Sequence, residues 1–164
     1  MISLQRFNQD DIPTLLSWLQ GTDEEFLVQF AGTNYHFPLD EEQLRQTLED
    51  PDTLAFKAVD SEGSMIGHCQ LLRIDPILHC ATIARVMVEP GQRNLGHGEA
   101  MVKALIGYAS RELHVRRLIL RVFDFNQPAY RCYRNLGFAQ VSREAVYYPI
   151  IHKTWYRITM EWIG

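Results

Sequence analysis

Ile83-Ala-Arg-Val-Met-Val-Glu-Pro-Gly-Gln-Arg-Asn-Leu-Gly-His-Gly-Glu-Ala-Met-Val102 carries an apolar strand pattern through a glycine-bearing turn into an amphipathic helix. Gly91, Gly96 and Gly98 supply backbone freedom, and Asn94 is among the few other residues that tolerate a left-handed conformation. Peptide N–H groups can converge in such a turn. The helix behind it adds unsatisfied first-turn donors and the positive end of its dipole. The stretch therefore reads as a cradle for phosphate or pyrophosphate, although as a bare pattern it also fits an ordinary strand-to-helix turn. It lacks the lysine and Ser/Thr that close a nucleoside-triphosphate loop, and Met101 stands where a dinucleotide fingerprint needs its third glycine.

The surrounding residues narrow the ligand. Arg93-Asn-Leu-Gly96-His-Gly98, preceded by Val86-Met-Val88 and Pro90, resembles the Q/R-x-x-G-x-G/A acetyl-CoA signature of the GNAT superfamily of N-acetyltransferases. A second segment, Leu118 to Phe123 followed by Asn126-Gln-Pro-Ala129-Tyr-Arg-Cys-Tyr133-Arg-Asn-Leu-Gly137-Phe138, is similar to the family's strand and N-x-x-A-x-x-x-Y-x-x-x-G-F run. The likeness spans residues 53–140. The stretch from Met65 to Phe138 also looks like the subgroup that includes ribosomal-protein N-acetyltransferases. One departure is Asn94, where the family usually has glycine; asparagine reaches the same backbone geometry at modest cost.

Composition fits this frame. A chain of 164 residues, 46% apolar and 22% charged, suits one soluble domain, 1–164. Its formal net charge of −4 argues against nucleic acid, whose binding calls for a basic surface, and is compatible with a cationic substrate. Cys69, Cys80 and Cys132 are odd in number and lack metal-ligand spacing. The six histidines show no paired arrangement on a helix, so no metal is expected. No leader or membrane-spanning run is evident, and reduced thiols point to the cytoplasm.

Periodicity gives a strand at Ile2–Phe7, a helix over Asp10–Leu19 and a second helix opened by Asp40-Glu-Glu-Gln43. A hairpin follows, Leu54–Asp60 and Met65–Ile74, then the strand ending at Val88, a helix from Gly98 to Leu113 and a strand at Arg117–Phe123. A short helix over Pro128–Asn135 and strands at Phe138–Tyr148 and Lys153–Ile163 complete the order. This predicts an α/β (α+β) domain with a mixed, mostly antiparallel sheet flanked by helices on both faces. The resemblance implies a sheet splayed between the strand ending at Val88 and the strand near Leu120, with the pantetheine arm in the gap.

The same resemblance assigns roles. Main-chain groups of Arg93, Asn94, Leu95, Gly96, His97 and Gly98 would hold the pyrophosphate of acetyl-CoA, the co-substrate. Val86 and Val88 would pair with pantetheine, and an N–H near Val86 or Met87 would polarise the thioester. Tyr133 is the candidate acid for the leaving thiolate, with a core aromatic as the plain alternative. Asn126 reads as a helix N-cap that also reaches the cofactor arm.

No carboxylate precedes the loop, in His79-Cys-Ala-Thr-Ile83, so His68 and His79 are the base candidates, beside a water relay. The acceptor cleft is expected among Trp18, Phe26, Phe30, Tyr35 and Phe37, with Asp23, Glu24, Glu25, Asp40, Glu41 and Glu42 nearby and Tyr147, Tyr148 and His152 opposite. Aromatics and carboxylates suit a cationic amine or a protein N-terminus; a core lined by aromatics with a solvated acidic helix face is the plainer explanation. The expected function is acetyl transfer to a primary amine. A non-catalytic acyl-CoA-binding regulatory module is the alternative, and exposed aromatics in the last strands permit a homodimer.

Overall fold

The computed structural model describes residues 1–164. In chain order it contains β1 (Ser3–Arg6), α1 (Ile12–Trp18), α2 (Glu24–Ala31), α3 (Glu41–Glu49), β2 (Thr53–Val59), β3 (Met65–Asp75) and β4 (Cys80–Val88). Then come α4 (His97–Glu112), β5 (Arg117–Phe123), α5 (Gln127–Asn135), β6 (Ala139–Tyr148) and β7 (Lys153–Ile163). The seven strands form one sheet in the order β1-β2-β3-β4-β5-β7-β6. All neighbours are antiparallel except β4 and β5, which the crossover through α4 makes parallel.

Local chemistry sets most boundaries. Asp40 Oδ1 accepts from the Gln43 amide at 3.0 Å and starts α3. The Gln43 side chain does not complete the box on its own cap; it bonds back to the main chain of His36 and Pro38 instead. Asn126 caps α5 by accepting from the Ala129 amide at 3.4 Å. One helix exceeds the two expected ahead of β2. Asp23 accepts from the Phe26 amide at 2.9 Å, Glu24 and Glu25 lie in the first turn, and Gly32, at φ 62°, ends α2. Its run Phe26-Leu-Val-Gln-Phe-Ala31 is apolar almost all round, which hides the helical period.

Two cores sandwich the sheet. Met101, Val102, Leu105 and Ala109 of α4 pack with Phe56, Ile66, Leu71, Ile83, Leu118, Leu120 and Met160 on one face. Ile12, Leu15, Trp18, Leu27, Ala31 and Leu44 of α1 to α3 pack with Ala55 and Met87 on the other. The feature that positions the site is a failure of pairing. β4 matches β5 only at Cys80, Ala81 and Thr82. Beyond Thr82 it continues alongside β3 alone, while β5 continues alongside β7.

Under α1 to α3 lies a buried polar chain. Arg85 Nη1 donates to Gln70 Oε1 at 2.6 Å, so the Gln70 amide nitrogen faces His68 Nε2 at 3.0 Å and Tyr35 Oη at 3.5 Å. Tyr35 Oη in turn lies 2.7 Å from Thr47 Oγ1. An amide nitrogen only donates, so His68 Nε2 accepts and its proton sits on Nδ1, which has no partner. Burial, aided by the nearby Arg85 charge and opposed by Asp11, pushes the imidazole down to about 3. His68 is thus a neutral core residue with no route to act as a base.

The unfolded chain binds a proton at His68 near pH 6.5, and the folded chain only near pH 3. Stability is therefore complete above pH 6.5 and declines as pH falls through that window, by at most about 1.4 kcal/mol per pH unit. We expect the melting temperature to fall between pH 7 and pH 5, with a shallower fall in His68→Leu despite its lower overall stability. Equal slopes in the two proteins would contradict the assignment.

Candidate active site

The glycine turn forms as its residues require. After Val88 the chain makes a short 3-10 turn at Pro90–Gln92, and Asn94, at φ 64°, takes the left-handed conformation that asparagine tolerates. Gly96, at φ 81°, is the N-cap of α4 and offers that helix no side-chain cap. Ala100 is the first residue to donate back into the helix, to the Gly96 carbonyl at 3.1 Å. The first-turn amides of α4 are thus left for an external acceptor, which is the form of an anion site. Arg93 Nε donates to the Val88 carbonyl at 3.2 Å and ties the loop to the strand end.

A cavity of about 490 Å³ opens beside this loop. It collects Val86, Met87, Val88, Arg93, Asn94, Gly96, His97, Gly98, Asn126 and Tyr133, and adds Glu99, Pro128 and Cys132. Leu95 is the one predicted residue it does not include; that side chain is exposed. Burial, with a smaller contribution from neighbouring Cys132 and Cys69, raises the Tyr133 phenol well above its ordinary value, so it keeps its proton at neutral pH. Burial and then Glu99 push the Cys132 thiol up to about 11, so it is a poor nucleophile.

The cavity leads between the parted strands. A throat of about 90 Å³ is bounded by Val86 of β4, Leu120 and Val122 of β5, Phe30 of α2, and Asn126 and Tyr133. Beyond it lies an opening of about 180 Å³ against Val28, Phe30, Phe123 and Tyr148. Two residues of β4, Arg85 and Val86, face the single Cys69 of β3 at this level, because His68 pairs with Met87 and Gln70 with Ala84. Such a bulge bends the strand and re-aims its side chains. Arg85 sits in it at φ 53°.

Other expected residues are dispersed. Phe30 and Tyr148 line the far opening, Phe26 lies on the near side of the gap, and Tyr35 is buried beneath Arg85. Trp18 is core, Phe37 belongs to a separate groove, and Tyr147 and His152 line none of these openings. The carboxylates have local tasks: Asp23 and Asp40 cap helices, Glu41 and Glu42 hold Arg45, and Glu25 pairs with Lys153. His79 lies at the far end of β4, where its carbonyl accepts from the amides of Arg116 and Arg117. No carboxylate or imidazole lines the throat.

Known proteins agree with this architecture. The Acetyltransferase (GNAT) family model matches residues 15–138. The N-acetyltransferase 9-like protein of Nematostella vectensis is 25% identical over 163 residues, 93% of this chain and 81% of that protein. The streptothricin acetyltransferase of Streptomyces lavendulae is 31% identical over 100 residues, 61% of this chain and 52% of that protein. The fold superimposes on a crystal structure of spermidine N-acetyltransferase from Vibrio cholerae in complex with CoA and spermine. The TM-score is 0.84 at 15% identity, over 99% of this chain and 95% of that one.

The glycines of the loop separate two kinds of constraint. A Cβ at Gly96 would meet no atom within 4 Å, so the cost of Gly96→Val is conformational, a β-branched residue forced to φ 81°. A Cβ at Gly98 would lie 3.6 Å from Val88 Cγ2, an ordinary contact. By titration calorimetry, Gly96→Val is expected to weaken CoA binding roughly tenfold or more, the equivalent of about 1.4 kcal/mol. Gly98→Ala should change it little. The reverse ranking would remove the loop's conformation from cofactor recognition.

Proposed function

The chain belongs to the acetyltransferase (GNAT) family and is an acetyl-CoA-dependent N-acetyltransferase. From that premise we propose that acetyl-CoA lies with its diphosphate on the first turn of α4 and its thioester in the throat between β4 and β5, where Tyr133 is the acid. The observation that carries this reading is the parting of β4 from β5 after Thr82, with an uncapped helix at one end of the gap and the half-buried Tyr133 in its wall.

Each chemical requirement finds a residue. The main chain from Arg93 to Gly98 binds the diphosphate, with Leu95 contributing backbone only. Val86 and Val88 offer peptide groups along a strand edge without a partner, so pantetheine adds there as a further strand would. An N–H at the bulge, near Val86 or Met87, polarises the thioester carbonyl. The side chain of Asn126, already fixed as a helix cap, borders the cofactor arm.

A neutral primary amine attacks the carbonyl carbon, forming the C–N bond and a tetrahedral oxyanion. Collapse breaks the C–S bond, the Tyr133 phenol gives its proton to sulfur, and CoA leaves as the thiol. The nitrogen loses its proton to water, which returns one to the phenolate. Water takes this role because the throat offers no carboxylate or imidazole, and the nearby Arg85 and Arg121 favour the neutral amine by repelling a second cation. A module that only bound acyl-CoA would have no use for a phenol held protonated beside the thioester.

Tyr133→Phe is expected to lower kcat roughly a hundredfold, with the Kd for acetyl-CoA nearly intact. Because burial raises the phenol's pKa, wild-type turnover should show no alkaline loss from its ionisation between pH 7 and pH 9. Thiol release measured across that range checks both points. An unaltered kcat in the variant would take the acid role away from Tyr133.

A further inference from the structure

The opening beyond the throat is lined by four arginines, Arg73, Arg85, Arg121 and Arg157. Arg157 is paired with Glu144. Arg73, Arg85 and Arg121 form no ion pair with any carboxylate. Around a space of about 180 Å³, Arg121 feels the like charges of Arg157 and Arg73 more than the opposite charge of Glu144, a surplus that an incoming anion would relieve.

Two of the three are held in place at a cost. Arg73 stands at φ 51° and Arg85 at φ 53°, and each lies where β3 and β4 fall out of register. Left-handed backbone is uncommon for a non-glycine residue and concentrates at sites of function, where the surroundings enforce it. Arg85 is fixed further: its guanidinium lies over the Tyr35 ring at 4.6 Å and one of its nitrogens is bound by Gln70. Gln70 is itself fixed by His68 and Tyr35. A guanidinium carries five N–H donors, so this tether leaves others free for a planar anion.

The anion cannot be the diphosphate of CoA, which the reading above places at the opposite end of the gap, on α4. Whatever reaches the arginines arrives with the acceptor. We propose, resting on the transferase reading above, that the acceptor is a small primary amine that also bears a carboxylate or phosphate group. The anionic group is bound by Arg73, Arg85 and Arg121, so that the amine points into the throat toward Tyr133. A polyamine, which brings only further cations, is a poor fit for this mouth. The opening suits a molecule of amino-acid size.

Thiol release from acetyl-CoA by the whole protein tests this with matched amines: 4-aminobutyrate and phosphoethanolamine against butylamine and ethanolamine, with spermidine as the polycation. We expect kcat/KM at least tenfold higher for one anionic amine than for its neutral counterpart, and the two anionic amines separate carboxylate from phosphate. Arg121→Gln, and Arg73→Asn, chosen because asparagine accepts the left-handed backbone, should each reduce that preference about tenfold. Retained CoA binding reports that the variants fold. Arg121→Glu should move the preference toward spermidine. Spermidine or the neutral amines as the better wild-type substrates would overturn the proposal.

A binding readout keeps the two readings apart. With CoA present, the favoured anionic amine should raise the melting temperature of wild type but not of Arg121→Gln. Absence of turnover with every amine, together with that selective shift, would count against the transferase reading and leave the anion seat supported. Absence of any shift with both anionic amines would overturn the seat.

Discussion

Everything that makes this chain an enzyme follows from one unmet demand of the backbone. Peptide groups within a sheet need partners, and β4 has them on both sides only as far as Thr82. An extra residue at Arg85 and Val86 then bulges the unpaired part of the strand, while β5 stays with β7 throughout its length. The gap is therefore written into the register. Its walls are peptide edges and mostly apolar side chains, with Arg85, Arg121, Asn126 and Tyr133 among them.

Charge is distributed along this gap against the trend of the whole chain. The formal net charge is −4, yet both ends of the gap are positive: the uncapped first turn of α4 at one end, the arginines at the other. A low-dielectric channel between them concentrates the field and draws anionic groups to its two mouths. The overall acidity, which on composition alone suits a cationic substrate, reports the outer helix faces. There, Asp23 and Asp40 act as caps and Glu41 and Glu42 serve Arg45.

Most of the fold was legible because its punctuation is local. Asn94, Gly96, Asn126 and Asp40 occupy the turn and cap positions that their chemistry favours, and the last strand, Lys153–Ile163, begins and ends where its pattern does. Helix α2 was missed although Asp23 and Gly32 mark its ends, because its apolar run masks the period. The arginine mouth left no trace in sequence. Arg73 and Arg85 read as ordinary polar positions within strands, and a bulge is visible only when two strands are laid side by side. His68 misled for the opposite reason: a titratable ring invites a catalytic role until its burial is known.

That histidine nonetheless bears on the site. Its neutral ring can accept from Gln70 only in the tautomer that carries the proton on Nδ1, and this fixes the Gln70 carbonyl toward Arg85. Protonation of His68 would replace an acceptor by a second donor and place a cation near the one Gln70 already binds. The burial that removes His68 as a base thus keeps Arg85 oriented over Tyr35 and at the edge of the throat. The core beneath α1 to α3 and the arginine-lined opening are one hydrogen-bonded unit, so if that opening seats the acceptor as proposed, its choice is set partly by residues that no substrate touches.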